Sequence, residues 1–299
     1  MSALQQQGIR MPSTDSSTTA VLPFTMGPAL LFCPADRPER FGKASERSDA
    51  VILDLEDAVA PADKKGAREA ILEQAGSAGQ GTGGLEPSRT IVRVNPVGTQ
   101  EFELDLEALA RTPYRTVMLA KAESAEQLRS LEGYQVIALC ETAAGIVNAA
   151  SIAAERNVVG LMWGAEDLLA SLGGLSSRND DGGYRAVALH SRSAVLLAAK
   201  AAGKEAIDSV YVNIPDLEGL SAESRDAVSS GFGAKACIHP NQVAVVREAY
   251  APTDEAVAQA TELLEAAAAA GTGVFQFKGK MIDGPILKHA EATLRRARH

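Results

Sequence analysis

The strongest constraint in this sequence is a pattern that returns eight times from residue 29 onward. A four-to-seven-residue apolar run is followed by a charged turn and then by a helix-length amphipathic stretch. The runs are Ala29–Cys33, Ala50–Leu55, Thr90–Val94, Thr116–Ala120, Val136–Cys140, Val158–Trp163, Ser209–Val212 and Ala234–Ile238. Several are continuous Val, Ile and Leu rather than alternating, as in parallel strands covered by helices on both faces. Between and after them, Glu39–Glu46, Ala62–Ala75, Glu101–Ala110, Ala125–Leu131, Ala143–Glu155, Tyr184–Ala202, Ser221–Ser229 and Gln242–Ala249 read as helices. Eight such units predict an α/β fold of the (β/α)₈ TIM-barrel type over residues 29–252. A doubly wound open sheet is the alternative, and the count of eight favours the barrel.

Residues 1–28 are rich in Gln, Ser and Thr and contain no apolar signal core, so they read as a disordered N-terminal extension. Arg10 and the scarcity of acids leave a transit peptide as the lesser reading, and Met11 and Met26 offer later starts. The Gly-rich Gly76–Ser88 segment is expected at the barrel bottom. Gly173–Gly183 follows the sixth run and is expected on the top face, as a mobile cover for a substrate. Residues 253–299 form a C-terminal extension, with a helix over Asp254–Ala270 and a tail apolar enough to dock on its own barrel or a neighbour's.

With 46% hydrophobic and 22% charged residues, the chain has ample material for a core. Its net charge of −9 argues against nucleic-acid binding, though a few local Arg and Lys residues can still create an anion site. No apolar run reaches the roughly 20 residues of a membrane span. Cys33, Cys140 and Cys237 lie singly in apolar runs and form no disulfide framework, which points to a reducing cytoplasm.

In a barrel of this kind, chemistry sits at the carboxyl ends of the strands. Those ends carry Asp36, Glu56, Asp57, Arg93, Asn95, Lys121, Glu123, Glu141, Glu166, Asp167, Asn213 and His239. Carboxylates gathered at one rim repel unless a divalent cation neutralises them. Oxygen-only ligands, with no CxxC and no helical His pair, suit Mg²⁺, or alternatively Mn²⁺, rather than zinc. Glu141 and Asp167, on neighbouring strands, are the best direct ligands, with Glu56 and Asp57 beside them. Arg93 suits a substrate carboxylate, because its planar fork matches that geometry. A metal beside an Arg is what a 2-oxo acid or its enolate requires.

At these residues the chain resembles the HpcH/HpaI aldolase and citrate lyase family, in its stand-alone citrate lyase β-like branch. The resemblance is carried by LFCPADRPERF (31–41), AVILDLEDAVAP (50–61), IVRVNP (91–96) and VMLAKAES (117–124). It continues through ALCETAAGI (138–146), LMWGAEDL (161–168), CIHPNQV (237–243) and GKMIDGP (279–285), covering residue 29 to the end. It implies a Mg²⁺-dependent carbon–carbon lyase acting on a β-hydroxyacyl-CoA thioester such as citramalyl-CoA or malyl-CoA. The products would be a 2-oxo acid and an acyl-CoA, and the assembly a homotrimer or hexamer.

By motif, the resemblance assigns Glu141 and Asp167 to the metal and Arg93 to the oxo-acid carboxylate. Glu56 and Asp57 match the acidic pair near the metal. Asp283 becomes the acid/base, reaching a neighbouring subunit's site. Ala165, Glu166 and Lys121 are expected to touch substrate, with Lys121 orienting carboxylates rather than forming a Schiff base. Arg37 and Arg40 are the candidates for CoA contacts. Ala144 stands where many relatives carry Arg and Ala120 where many carry Pro, which bears on substrate choice more than on chemistry. The alternatives are a citryl-thioester lyase subunit of a citrate lyase complex and a metal-dependent pyruvate aldolase on free hydroxy-oxo acids. A hydrolytic or synthase outcome at the same site, or a non-enzymatic carrier-binding subunit, would be separated from these by assay.

Overall fold

The computed structural model describes residues 24–78, 84–271 and 273–297. Most of the expected N-terminal extension and the centre of the Gly76–Ser88 segment lie outside the described residues. Eight parallel strands close a barrel in chain order, each paired with its neighbours and the eighth with the first. They are β1 (Ala29–Pro34), β2 (Ala50–Asp54), β3 (Thr90–Val94), β4 (Thr116–Leu119), β5 (Gln135–Cys140), β6 (Val158–Trp163), β7 (Glu205–Asp208) and β8 (Ala234–Cys237). Around them run α1 (Phe41–Arg47), α2 (Lys64–Ala78), α3 (Gln100–Leu109), α4 (Ala125–Arg129), α5 (Ala143–Val147) and α6 (Ala149–Ala153). Then come α7 (Ala165–Ser171), α8 (Ala186–Ala201), α9 (Leu217–Ser230) and α10 (Pro240–Tyr250).

The continuous apolar runs have two destinations. Leu30, Ile52, Ile91, Met118, Ile137, Leu139, Met162, Ile207 and Ala236 fill the barrel interior. The alternate residues, among them Leu31, Leu53, Val92, Val117, Ala138, Leu161 and Trp163, pack outward under the helices. This two-residue period decides which strand-end side chains reach the mouth: Asp54, Arg93 and Glu141 continue the inward rows of Ile52, Ile91 and Leu139. Phe24 and Met26, within the stretch read as an extension, pack against the interior cluster.

Three elements differ from expectation. The seventh strand is Glu205–Asp208, not Ser209–Val212. The Ser-Val-Tyr-Val run looks more strand-like, but the real strand carries a charge at each end because Asp208 faces buried cations on the helical side. The Ala143–Glu155 helix breaks at Asn148 into α5 and α6. A short helix, α7, stands directly after β6, before the expected top-face loop begins.

Several helix starts are capped by side chains, a feature worth about 1 kcal/mol each. Thr99 accepts from Phe102, Ser124 forms a capping box with Gln127, and His239 caps α10, the structural use of that residue. The C-terminal extension folds as α11 (Asp254–Ala270), a hairpin of β9 (Phe275–Phe277) and β10 (Lys280–Ile282), and α12 (Gly284–Arg296). Ala260, Ile282 and Ala290 are buried there, while Val274, Met281 and Ile286 stay exposed. Among the described residues no helix is long and apolar enough to cross a membrane. All three cysteines are buried and free.

Candidate active site

At the carboxyl end of the barrel lies an open cavity of ≈ 260 Å³. Asp54, Arg93, Glu141, Asp167 and Ser209 form its polar wall, and Phe32, Leu139, Met162, Val210 and Ile238 its apolar one. Asp54, which the sequence reading passed over in favour of its neighbours, anchors the arrangement. Its carboxylate accepts from Arg93 Nε at 2.7 Å and from a terminal nitrogen at 2.6 Å. It also accepts from the backbone N–H of Glu56 at 2.9 Å, which forms the turn after β2. Lys64 secures that turn from the other side, donating to the carbonyls of Leu55 (2.7 Å) and Glu56 (2.9 Å) and to Asn95 (2.8 Å). The alternation of β2 was the available signal for Asp54, since it shares the inward parity of Ile52.

Arg93 therefore stands on the cavity wall with much of its fork already engaged. Its third nitrogen lies 3.1 Å from Glu56 Oε2, and Phe32 stacks 4.9 Å from the guanidinium. Burial works against its charge, but Asp54 and Glu56 outweigh that and hold its pKa above the usual value. Lys121 ion-pairs with Glu56 and lies 3.3 Å from Asp57 and 3.6 Å from Asp167. Its backbone is left-handed, with φ 50°, which turns its N–H toward Glu141 Oε1 at 3.1 Å. Such a φ is uncommon outside glycine and costs on the order of 1 kcal/mol or more. The same residue thus ties together the carboxylates delivered by β2, β5 and β6. The attraction of Glu56 and the other acids lifts the Lys121 pKa despite burial.

Glu141 is 2% exposed, and its carboxyl is pushed up to about 8, first by burial and then by the neighbouring Asp167 charge. Gly164, before α7, makes this approach possible: a Cβ there would sit 2.8 Å from Glu141 Oε2 and 2.9 Å from its Cβ. Glu141 and Asp167 thus share one cavity, and the Glu141 charge is poorly tolerated there. Among the described residues no group of three or more His, Cys, Asp or Glu side chains is arranged to hold a metal by itself. Two carboxylates fit the ion that demands least from protein: Mg²⁺ keeps several waters or substrate oxygens and binds through one or two carboxylates. Glu141 and Asp167 could hold it.

The other expected site residues divide. Glu56 and Asp57 join the cluster through Lys121 and Arg93 without lining the cavity. Ala165 lines it, with its N–H donating to Ser209 Oγ at 3.4 Å. Glu166 is exposed and turns away, accepting from Ser177 Oγ at 2.6 Å. Arg37 and Arg40 are exposed on the loop after β1, weakly paired with Asp36 (3.6 Å) and Glu39 (3.7 Å). Asp283 is exposed and caps α12 through Ile286 N–H; within one chain it does not line this cavity.

The sequence pattern of the HpcH/HpaI aldolase/citrate lyase family matches residues 29–240. The chain belongs to that family. A citrate lyase subunit beta-like protein of Mycobacterium tuberculosis H37Rv is 55% identical over 271 residues, 91% of this chain and 96% of the relative. Human mitochondrial citramalyl-CoA lyase is 35% identical over 295 residues, covering 89% and 84% of the two chains. Among solved structures of the family, CitE of M. tuberculosis in complex with magnesium, acetoacetate and coenzyme A superposes with a TM-score of 0.84. It is 54% identical and the match covers 92% of this chain and all of that one. A citrate lyase beta subunit from the same organism was solved with oxaloacetate and magnesium, at 56% identity, 77% coverage of this chain, 99% of that chain and a TM-score of 0.73.

Proposed function

We propose that the protein is a Mg²⁺-dependent carbon–carbon lyase that cleaves, or in reverse condenses, a β-hydroxyacyl-CoA thioester such as citramalyl-CoA or malyl-CoA. The observation that carries this reading is the pairing of Glu141 and Asp167 in one cavity with Arg93, with the Glu141 carboxyl pushed up to about 8 by burial and then by the Asp167 charge. The magnesium, coenzyme A and oxo-acid complexes of the M. tuberculosis relatives support it.

Glu141 and Asp167 would hold the ion, with Mn²⁺ as an alternative. When bound, it supplies positive charge beside the oxygens of the oxo-acid portion. Arg93, clamped in place by Asp54, orients the substrate carboxylate through N–H groups not engaged by Asp54 and Glu56. Glu56 and Asp57 hold Lys121, which keeps the carboxylates in register. A base takes the β-hydroxyl proton, that oxygen becomes the carbonyl of the oxo acid, and the adjacent C–C bond breaks, its electrons passing to the thioester enolate. A proton delivered to the enolate carbon completes the acyl-CoA. Asp283, exposed on the C-terminal extension of a neighbouring subunit in a homotrimer or hexamer, is our candidate for that proton transfer. Arg37 and Arg40 supply positive charge at the mouth for CoA phosphates. Residues 253–299 would then complete a neighbour's site, in a cytoplasmic enzyme.

Mass spectrometry of products from a panel of malyl, methylmalyl, citramalyl and citryl CoA esters tests this. We expect a 2-oxo acid plus an acyl-CoA, abolished by EDTA. Cleavage of free hydroxy-oxo acids without CoA, or release of free CoA alone, contradicts it. Asp283→Ala is expected to spare substrate binding and lower turnover severely.

A further inference from the structure

The loop between α7 and α8 does not cover the cavity; none of its residues lines it. It is instead fastened to the outer wall of the barrel. The loop turns back on itself through Asn179 N–H to Gly183 O (2.8 Å) and Arg185 N–H to Ser177 O (2.8 Å). Arg178 stacks 3.9 Å from the Tyr184 ring and donates to Glu223 on α9 at 2.7 Å. Glu223 accepts in turn from buried Lys235 at 3.0 Å. Beside Arg178, Ser177 is 2% exposed and donates to Glu166 at 2.6 Å.

The first turn of α7 needs such a hold. It follows Gly164, which cannot carry a side chain because Glu141 fills that space. No side chain caps the helix, and the N–H of Ala165 makes only a long 3.4 Å bond to Ser209. Asp167 sits on this turn, and the Lys121 ammonium lies 3.6 Å from it. The bond from buried Ser177 to Glu166, at 2.6 Å, is the shortest side-chain tether of that turn among the described residues.

We propose that Ser177 is a positioning residue: through Glu166 it fixes the first turn of α7 and so aims Asp167 at the metal position beside Glu141. The loop is a brace rather than a lid. This rests on the reading of Asp167 as a Mg²⁺ ligand given above. Partners that orient a metal ligand typically contribute 10–100-fold in affinity. Ser177→Ala should therefore weaken Mg²⁺ binding by roughly 10–100-fold in calorimetry without substrate. Ser177→Thr should restore it and Glu166→Gln should retain it. A Ser177→Ala/Glu166→Ala double variant should bind no more weakly than the weaker single.

Wild-type affinity in Ser177→Ala overturns the proposal. So does a Thr variant as weak as Ala, which would mark a packing effect, or additive losses in the double variant. Wild-type protein that takes up no Mg²⁺, or Asp167→Ala that titrates normally, overturns instead the reading on which it rests.

Discussion

Two charged clusters lie on opposite sides of the same barrel wall, and they differ in balance. Outside the barrel, Asp208, Glu223 and Asp226 meet Arg178, Arg192 and Lys235, three carboxylates against three cations. Asp208 also accepts from Trp163 Nε1 at 2.8 Å and from Arg192 Nε at 2.9 Å, and Lys235 donates to Asp208 at 2.9 Å. Burial alone would raise Asp208, but Lys235 and Arg192 bring it below the usual carboxylate range. Inside, Asp54, Glu56, Asp57, Glu141 and Asp167 face Arg93 and Lys121, five carboxylates against two cations. The outer cluster is complete and serves the fold. The inner one holds Asp54 and Arg93 in bidentate contact, yet leaves Glu141 and Asp167 with less positive charge around them, an imbalance that a divalent cation would offset.

The sharpest way to break this contrast is to cut the outer cluster. Lys235 is fully buried, so Lys235→Ala takes from Asp208 one of its two cations and from Glu223 one of its own, and should cost about 3–5 kcal/mol, a cost independent of Mg²⁺. Thermal denaturation with and without Mg²⁺ reads this, and a metal-dependent loss would erase the distinction between the clusters.

A smaller effect belongs to the inner cluster. Glu141 binds its proton up to about pH 8 in the folded protein but only to about 4.5 when unfolded, so the folded state holds more protons in that window. Metal-free stability should therefore fall as pH rises from 4.5 to 8, by on the order of a few kcal/mol. Glu141→Gln should flatten that slope in EDTA melts, whereas an unchanged slope would deny Glu141 its raised pKa. The smallest effect is expected at the rim of the outer cluster. Asp226 pairs with Arg192 at 2.6 Å but is largely solvated, so Asp226→Asn should cost under about 1 kcal/mol by urea denaturation. A loss as large as that of Lys235→Ala would show that burial does not grade this network.

The contrast also explains what the sequence could tell. Continuous apolar runs announce a barrel, because each strand must satisfy both an interior and a helical face. The inward rows end at Arg93 and Glu141, so those two were visible. Asp54 shares their parity but was hidden beside the more conspicuous Glu56-Asp57 pair. The seventh strand slipped because Asp208 belongs to the outer cluster: its partners Arg192, Trp163 and Lys235 are distant in sequence, and nothing local reveals that a charge there is buried. Glu166 lies next to Asp167 in the chain, yet its side chain bonds Ser177 and does not line the cavity, a separation that nothing local reveals. The helix α7 and the break at Asn148 were illegible because turns this short are set by tertiary contacts rather than by propensity.

Calorimetric titration of Mg²⁺ into the wild-type protein, Glu141→Ala and Asp167→Ala bears most directly on the central claim. The account predicts one ion per chain in the wild type, accompanied by proton release near pH 7 as Glu141 ionises, and no measurable binding in either variant. Normal uptake by either variant would contradict it.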